Sequence, residues 1–119
     1  MELEPEAGNL FRVDMRGIVR KFELDRCQQD LAAVLTQPGP VRLLFILDGF
    51  DGWDRRDNWS DLTFYATLGD RIERIAIVGA ERWRSEALMF AGADLRRARV
   101  EFFAGSAGED DAARAWLTA

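Results

Sequence analysis

The chain has 119 residues, 48% of them hydrophobic, a net charge of −5 and no histidine. That length suits one domain, 1–119, with enough apolar side chains for a packed core, so a disordered chain is excluded. The acidic balance argues against a nucleic-acid partner, and the missing histidine removes the commonest general base and metal ligand.

Cys27 is the single cysteine, so no internal disulfide and no Cys-rich zinc site is expected. No apolar run approaches the ~20 residues of a membrane span. The opening MELEPEAGN is acidic rather than apolar. A cytoplasmic protein is therefore expected. All but Lys21 of the 16 basic residues are arginine. This excess reads as codon bias, not as phosphate recognition.

In chain order, residues 2–5 suggest a short strand turning at Ala7, Gly8 and Asn9. From Leu10 to Arg16, Phe11, Val13 and Met15 alternate with Arg12, Asp14 and Arg16. That period of two predicts a strand with one buried face, as at an antiparallel edge, ended by Gly17. Residues 22–37 predict a helix whose apolar stripe is Leu24, Cys27, Leu31, Val34 and Leu35. Cys27 on that stripe is a small buried hydrophobe, since no histidine can activate it. Pro38-Gly39-Pro40 ends the helix.

Val41 to Leu47 is apolar except at Arg42, the pattern of a central strand covered on both faces. Asp48 to Arg56 then reads as loop. Asp57 would cap a helix over 58–68, apolar around most of its circumference. Gly69-Asp70 forms a turn. Ile75 to Val78 is a second apolar strand, and a helix follows over 81–91 with Trp83, Ala87 and Phe90 on one stripe, stopped by Gly92. Arg99 to Phe103 is a further strand, with Val100 and Phe102 opposite Glu101. A final helix over 109–117 opens with Glu109, Asp110 and Asp111 and docks through Ala113, Trp116 and Leu117. Strands alternating with helices imply parallel, right-handed crossovers, hence an α/β fold.

The stretch LLFILDGFDGWDRRDNW, 43–59, is the candidate working region, a buried strand breaking into a polar loop. Asp48, Asp51, Asp54 and Asp57 recur there every three residues. The spacing fits no calcium loop, and Arg55 and Arg56 compete for the carboxylates, so no metal site is assigned. Phosphoryl transfer lacks its second carboxylate and its lysine, and no phosphate loop, nucleotide fingerprint or serine elbow is present. Ser60, Ser85 and Ser106 have no base in the sequence pattern. No catalytic residue and no cofactor is therefore assigned, and a carboxylate-based hydrolase using Asp48 and Asp51 is the least favoured alternative. The aromatics are the more unusual feature. Phe50, Trp53 and Trp59, then Tyr65 and Trp83, gather at the expected C-terminal ends of the central strands.

RLLFILDGFDGW, the helix opening at Asn58-Trp59, ERIAIVGAERW and VEFFAGSAGEDDAARAWL together resemble the SpoIIAA-like family of small bacterial proteins. That family belongs with the STAS domains and has some similarity to lipid-binding CRAL-TRIO domains. The likeness covers essentially the whole chain and is weakest over 1–22. It implies a mixed sheet of four to five strands, the central ones parallel, with about four helices packed largely on one face. Anti-sigma factor antagonists of that group are phosphorylated on a serine in the turn after the middle strand. Here the turn is Asp48-Gly49-Phe50-Asp51-Gly52, with no hydroxyl, so that switch does not carry over.

The expected function is a non-enzymatic interaction or regulatory module that binds a protein partner or itself as a homodimer. Asp48, Phe50, Trp53, Trp59, Tyr65 and Trp83 would form the contact, with Trp53 and Trp59 as anchors. A small apolar or lipid-like ligand is the alternative.

Overall fold

The computed structural model describes residues 1–36, 39–57, 71–91, 98–106 and 108–119. Its centre is a five-stranded sheet whose spatial order is also its chain order: β1 (Glu2–Ala7), β2 (Leu10–Val19), β3 (Val41–Trp53), β4 (Ile72–Gly79) and β5 (Arg99–Ala104). β1 is antiparallel to β2, and all later neighbours are parallel. The helices are α1 (Lys21–Val34), α2 (Arg84–Phe90) and α3 (Asp111–Thr118), with a 3-10 turn at Glu81–Trp83. The fold is thus the mixed α/β class expected from the sequence. The helix expected over 58–68 with its Asp57 cap, the Gly69-Asp70 turn and the Gly92 stop lie outside the described residues.

The order of strands decides where the helices go. Each parallel step moves one strand further in the same direction. Right-handed crossovers must then all pass over the same face. α1 and α2, which connect strands, accordingly share one core. Cys27, Leu31 and Leu35 pack there with Val13, Met15, Leu43, Leu47, Ile75, Ala87 and Ala91. α3 follows the last strand and is free of the rule. It covers the other face, where Ala113 and Leu117 meet Leu44, Ile46, Ala76 and Val78. Central strands β3 and β4 are therefore apolar at nearly every position, while β1 alternates.

Three boundaries differ from the sequence expectation. β2 passes through Gly17, at φ +60°, and continues to Val19. It is also an inner strand rather than an edge, antiparallel to β1 on one side and parallel to β3 on the other. The segment after Leu47, expected as loop, continues β3 to Trp53. Helix ends shift by a few residues: the first helix stops at Val34, the next begins as a 3-10 turn, and the last starts at Asp111.

Arginines tie the layers together. Arg42 on β3 and Arg74 on β4 are direct neighbours in the parallel ladder. Side by side their charges repel, yet both reach the C-terminal end of α3. Arg42 donates to the carbonyl of Leu117, and Arg74 donates to those of Trp116 (2.6 Å) and Ala119 (3.2 Å). The last carbonyls of a helix lack partners and carry its negative dipole end, so two guanidinium groups satisfy both needs. At the other end, Arg114 of α3 binds Glu6 of β1 and Asp110. Arg74 also stacks on Trp116 at 5.5 Å. Replacing both Arg42 and Arg74 by Ala should cost about 2–4 kcal/mol in urea unfolding. In hydrogen exchange, protection should fall first over α3.

Candidate functional site

The second half of β3 is a tandem repeat, Asp48-Gly49-Phe50 followed by Asp51-Gly52-Trp53. Side chains three apart on a regular strand point to opposite faces. Phe50 and Trp53 nevertheless share the α1/α2 core with Leu47. The register explains it. Met15 pairs with Leu47 and Gly17 with Phe50, so β3 uses one residue more than β2; Ile18 then pairs with Gly52, one more again. Each triplet thus holds one bulge, a device rarely found between parallel strands. The left-handed backbone falls on the glycines, with φ +61° at Gly49 and +105° at Gly52. Asp48 and Asp51 are turned out to solvent, and the aromatics are turned in.

Phe50 lies at the middle of the aromatic group. Its ring centre is 4.8 Å from Trp53 and 4.9 Å from Trp83, both edge-on, and Trp53 is 5.0 Å from Phe90. Such geometries favour aromatic pairs beyond the area they bury. Trp83 covers Gly52 closely: a Cβ there would lie 3.3 Å from its ring. Trp53 is half-buried in this group, with its indole N–H unpartnered among the described residues.

Above the group, at the C-terminal ends of β3, β4 and β5, is an open cleft of about 490 Å³. Leu47, Phe50, Ala80 and Trp83 make its apolar wall; Asp48, Arg82, Ser106 and Glu109 make its polar rim. This is where parallel sheets place ligands. Three residues singled out from the sequence, Asp48, Phe50 and Trp83, come together here. Trp53 stands behind them, in contact with Phe50. Trp59 and Tyr65 lie outside the described residues. Arg82 and the Ser106–Glu109 pair were missed. The available signal was Ser-x-x-Glu, which is a cap pattern.

That pair needs a correction. Ser106, read as lacking a base, donates its hydroxyl (2.7 Å) and its backbone N–H (3.1 Å) to Oε1 of Glu109. The hydroxyl bond, then the backbone bond, holds the Glu109 carboxyl below its ordinary value. A carboxylate so stabilised is a poor proton acceptor. The contact closes the turn ahead of α3.

The four aspartates of the stretch separate into two roles. Asp48 stays at the rim, 3.6 Å from Arg16. Asp54 is buried and accepts from Arg56 through backbone (2.9 Å) and guanidinium (3.1 and 2.8 Å), with Arg20 at 3.3 Å. Asp57 takes two bonds from Arg20 (2.9 and 3.3 Å) and the first N–H of α1, that of Lys21 (2.8 Å). The Arg56 hydrogen bonds lower the Asp54 pKa, and those from Arg20 lower that of Asp57. These residues fasten the end of β3 to the start of α1. Among the described residues no group of three or more His, Cys, Asp or Glu is arranged around a metal. Cys27 is buried, and burial pushes its thiol up to about 11. It lines an apolar cavity of about 40 Å³ between α1, α2 and the sheet.

The model of the SpoIIAA-like family matches residues 10–118. The chain belongs to the SpoIIAA-like family. A crystal structure of an uncharacterized protein from the DUF3478 family, with a SpoIIAA-like fold, from Shewanella loihica PV-4 superposes with a TM-score of 0.71. It is 19% identical, over 98% of this chain and 90% of that one, and at that identity shows the fold alone. No curated protein matches. Within this SpoIIAA-like chain, the match includes the whole tandem bulge and the cleft above it.

Two outcomes test the site's construction. Gly52→Ala forces a side chain into φ +105° and against Trp83, and should cost about 1–3 kcal/mol with loss of near-ultraviolet aromatic dichroism. The second concerns pH. Asp57 is held below its ordinary 3.8, so its ionised form is the one the fold favours. That contribution is complete above about pH 5 and is lost as pH falls through the lowered value. Asp57→Asn should lower stability at pH 7 and flatten the acid limb of the denaturation curve below about pH 4.

Proposed function

We propose that this SpoIIAA-like chain is a non-enzymatic binding module whose contact surface is the cleft at the C-terminal ends of β3, β4 and β5. The observation that carries this reading is the cleft wall. Phe50 is turned there by the bulges of β3 and Trp83 packs edge-on against it, and the polar groups on the rim are either spread apart or already satisfied. Asp48 faces Arg16, and Ser106 and Glu109 face each other. Nothing in that arrangement pairs an activated nucleophile with a base. A partly apolar wall ringed by mixed charges suits a protein segment that seats one apolar side chain and meets the rim with polar ones.

An apolar ligand has less support. The 40 Å³ apolar cavity lined by Cys27, Leu31, Phe45 and Phe90 is far below the roughly 300–1,000 Å³ of small-molecule sites, and the cleft, which has the volume at about 490 Å³, is open and rimmed by Asp48, Arg82, Ser106 and Glu109 rather than enclosed by apolar groups. No helix among the described residues is long and apolar enough to cross a membrane.

The exposed rim allows a test that leaves the fold intact. A chain carrying Asp48→Arg and Arg82→Glu should unfold within about 0.5 kcal/mol of the wild type. Cross-linking in cells from a photoreactive residue at position 82 should trap a partner, and Asp48→Arg in the same chain should abolish the adduct. Adducts unchanged by Asp48→Arg would overturn the assignment of this surface.

A further inference from the structure

The two outer strands of the sheet are not equivalent. β1 is closed to further pairing: Pro5 has no N–H, the ladder slips between Pro5 and Ala7, and Glu2, Glu4 and Glu6 repeat along it. Proline, irregularity and like charges are the devices by which sheets protect an edge. β5 has none of these. Its sequence is Arg-Val-Glu-Phe-Phe-Ala, its register with β4 is unbroken, and among the described residues β4 is its one neighbour. Such a strand is a template for another strand.

We propose that β5 pairs antiparallel with β5 of a second copy, about a twofold axis at Val100, joining two sheets into one of ten strands. Symmetry places the axis on a residue, and among the axes that set Arg99 and Glu101 against charged groups of β5, charge favours this one. A twofold axis normal to the sheet keeps each face continuous, so residues directly opposite must come from the same face. Val100 and Phe102 belong to the α1/α2 face, and Phe103 to the α3 face. Arg99 and Glu101 therefore alternate onto the α3 face, where both are exposed.

Centring the axis on Arg99 sets arginine against arginine. Centring it on Glu101 sets glutamate against glutamate. Centring it on Val100 sets Arg99 opposite Glu101 of the second copy, twice by symmetry, with Val100 against its mate and Ala98 opposite Phe102. Opposite charges and β-branched pairs are the favourable cross-strand combinations, and like charges the unfavourable ones. α2, which packs against β5, carries Met89, the most exposed large apolar side chain of the described residues at 80%. Among the described residues the ladder runs from Ala98 to Phe102. Gly105 and Ser106 of the cleft lie beyond it, so the dimer retains two clefts.

Sedimentation equilibrium on the full chain over a concentration series tests this. The wild type should be a monomer–dimer system. Arg99→Glu gives two acidic residues on the edge and Glu101→Arg two basic ones, so each variant alone should dimerise at least about tenfold more weakly. An equimolar mixture of the two should recover the dimer, because every cross-strand pair is then opposite in charge. The double variant R99E/E101R should dimerise like the wild type, and it keeps the test open if a single variant fails to fold. A monomeric wild type, single variants as dimeric as the wild type, a mixture that stays monomeric, a monomeric double variant or open-ended polymers would each overturn the proposal.

Discussion

The backbone at Gly49 and Gly52 is the constraint on which the upper half of the molecule depends. Two residues in left-handed conformations insert two bulges into the central strand. Without them Phe50 and Trp53 would fall on opposite faces. With them, both rings enter one core, Trp83 closes over Gly52, and Asp48 and Asp51 are delivered to solvent. The β3 part of the cleft wall, Leu47 and Phe50, is then a property of the strand itself. It sits on a ladder rather than on a free loop, which holds Leu47 and Phe50 in place.

The arginines are the second organising element. A chain nearly devoid of lysine places guanidinium groups where one planar fork must satisfy several acceptors. Arg74 reaches two carbonyls of α3, Arg71 reaches Leu35 and Gly39, and Arg20 spans Asp54 and Asp57. Codon usage can set the supply of arginine, but these positions use its geometry.

Much of the fold was legible because burial on both sides of a parallel strand leaves an unmistakable apolar run, as in Leu43–Leu47 and Ile75–Val78. The stripes of α1 and α3 were equally plain: Cys27, Leu31, Ala113 and Leu117 are buried as their spacing required. The family likeness was legible for the same reason, being carried by those segments. What failed was punctuation. Gly17, Gly49 and Gly52 look like breaks in a strand, whereas pairing between β2 and β3 carries the ladder past Gly17 and holds Gly49 and Gly52 in bulges, a tertiary effect invisible to local pattern. Phe50 and Trp83, which line the cleft, stood out because aromatic surplus is a composition signal, and Asp48 because it ends the apolar run. The Ser106–Glu109 contact was overlooked because a cap and a catalytic pair use the same residue types, and only the donor geometry separates them.

The sheet's spatial order, identical to its order along the chain, has a consequence for how the molecule is made. Every strand after the first finds its neighbour already synthesised. No strand must wait for a later one or insert between two that have paired. A chain leaving the ribosome N-terminus first can therefore extend one growing edge, with α1 and α2 laid down on the same side as it advances. Each of these strands pairs with the strand before it, so each pairing closes a loop no longer than one crossover. α3, which follows β5, then packs on the opposite face through Ala113 and Leu117.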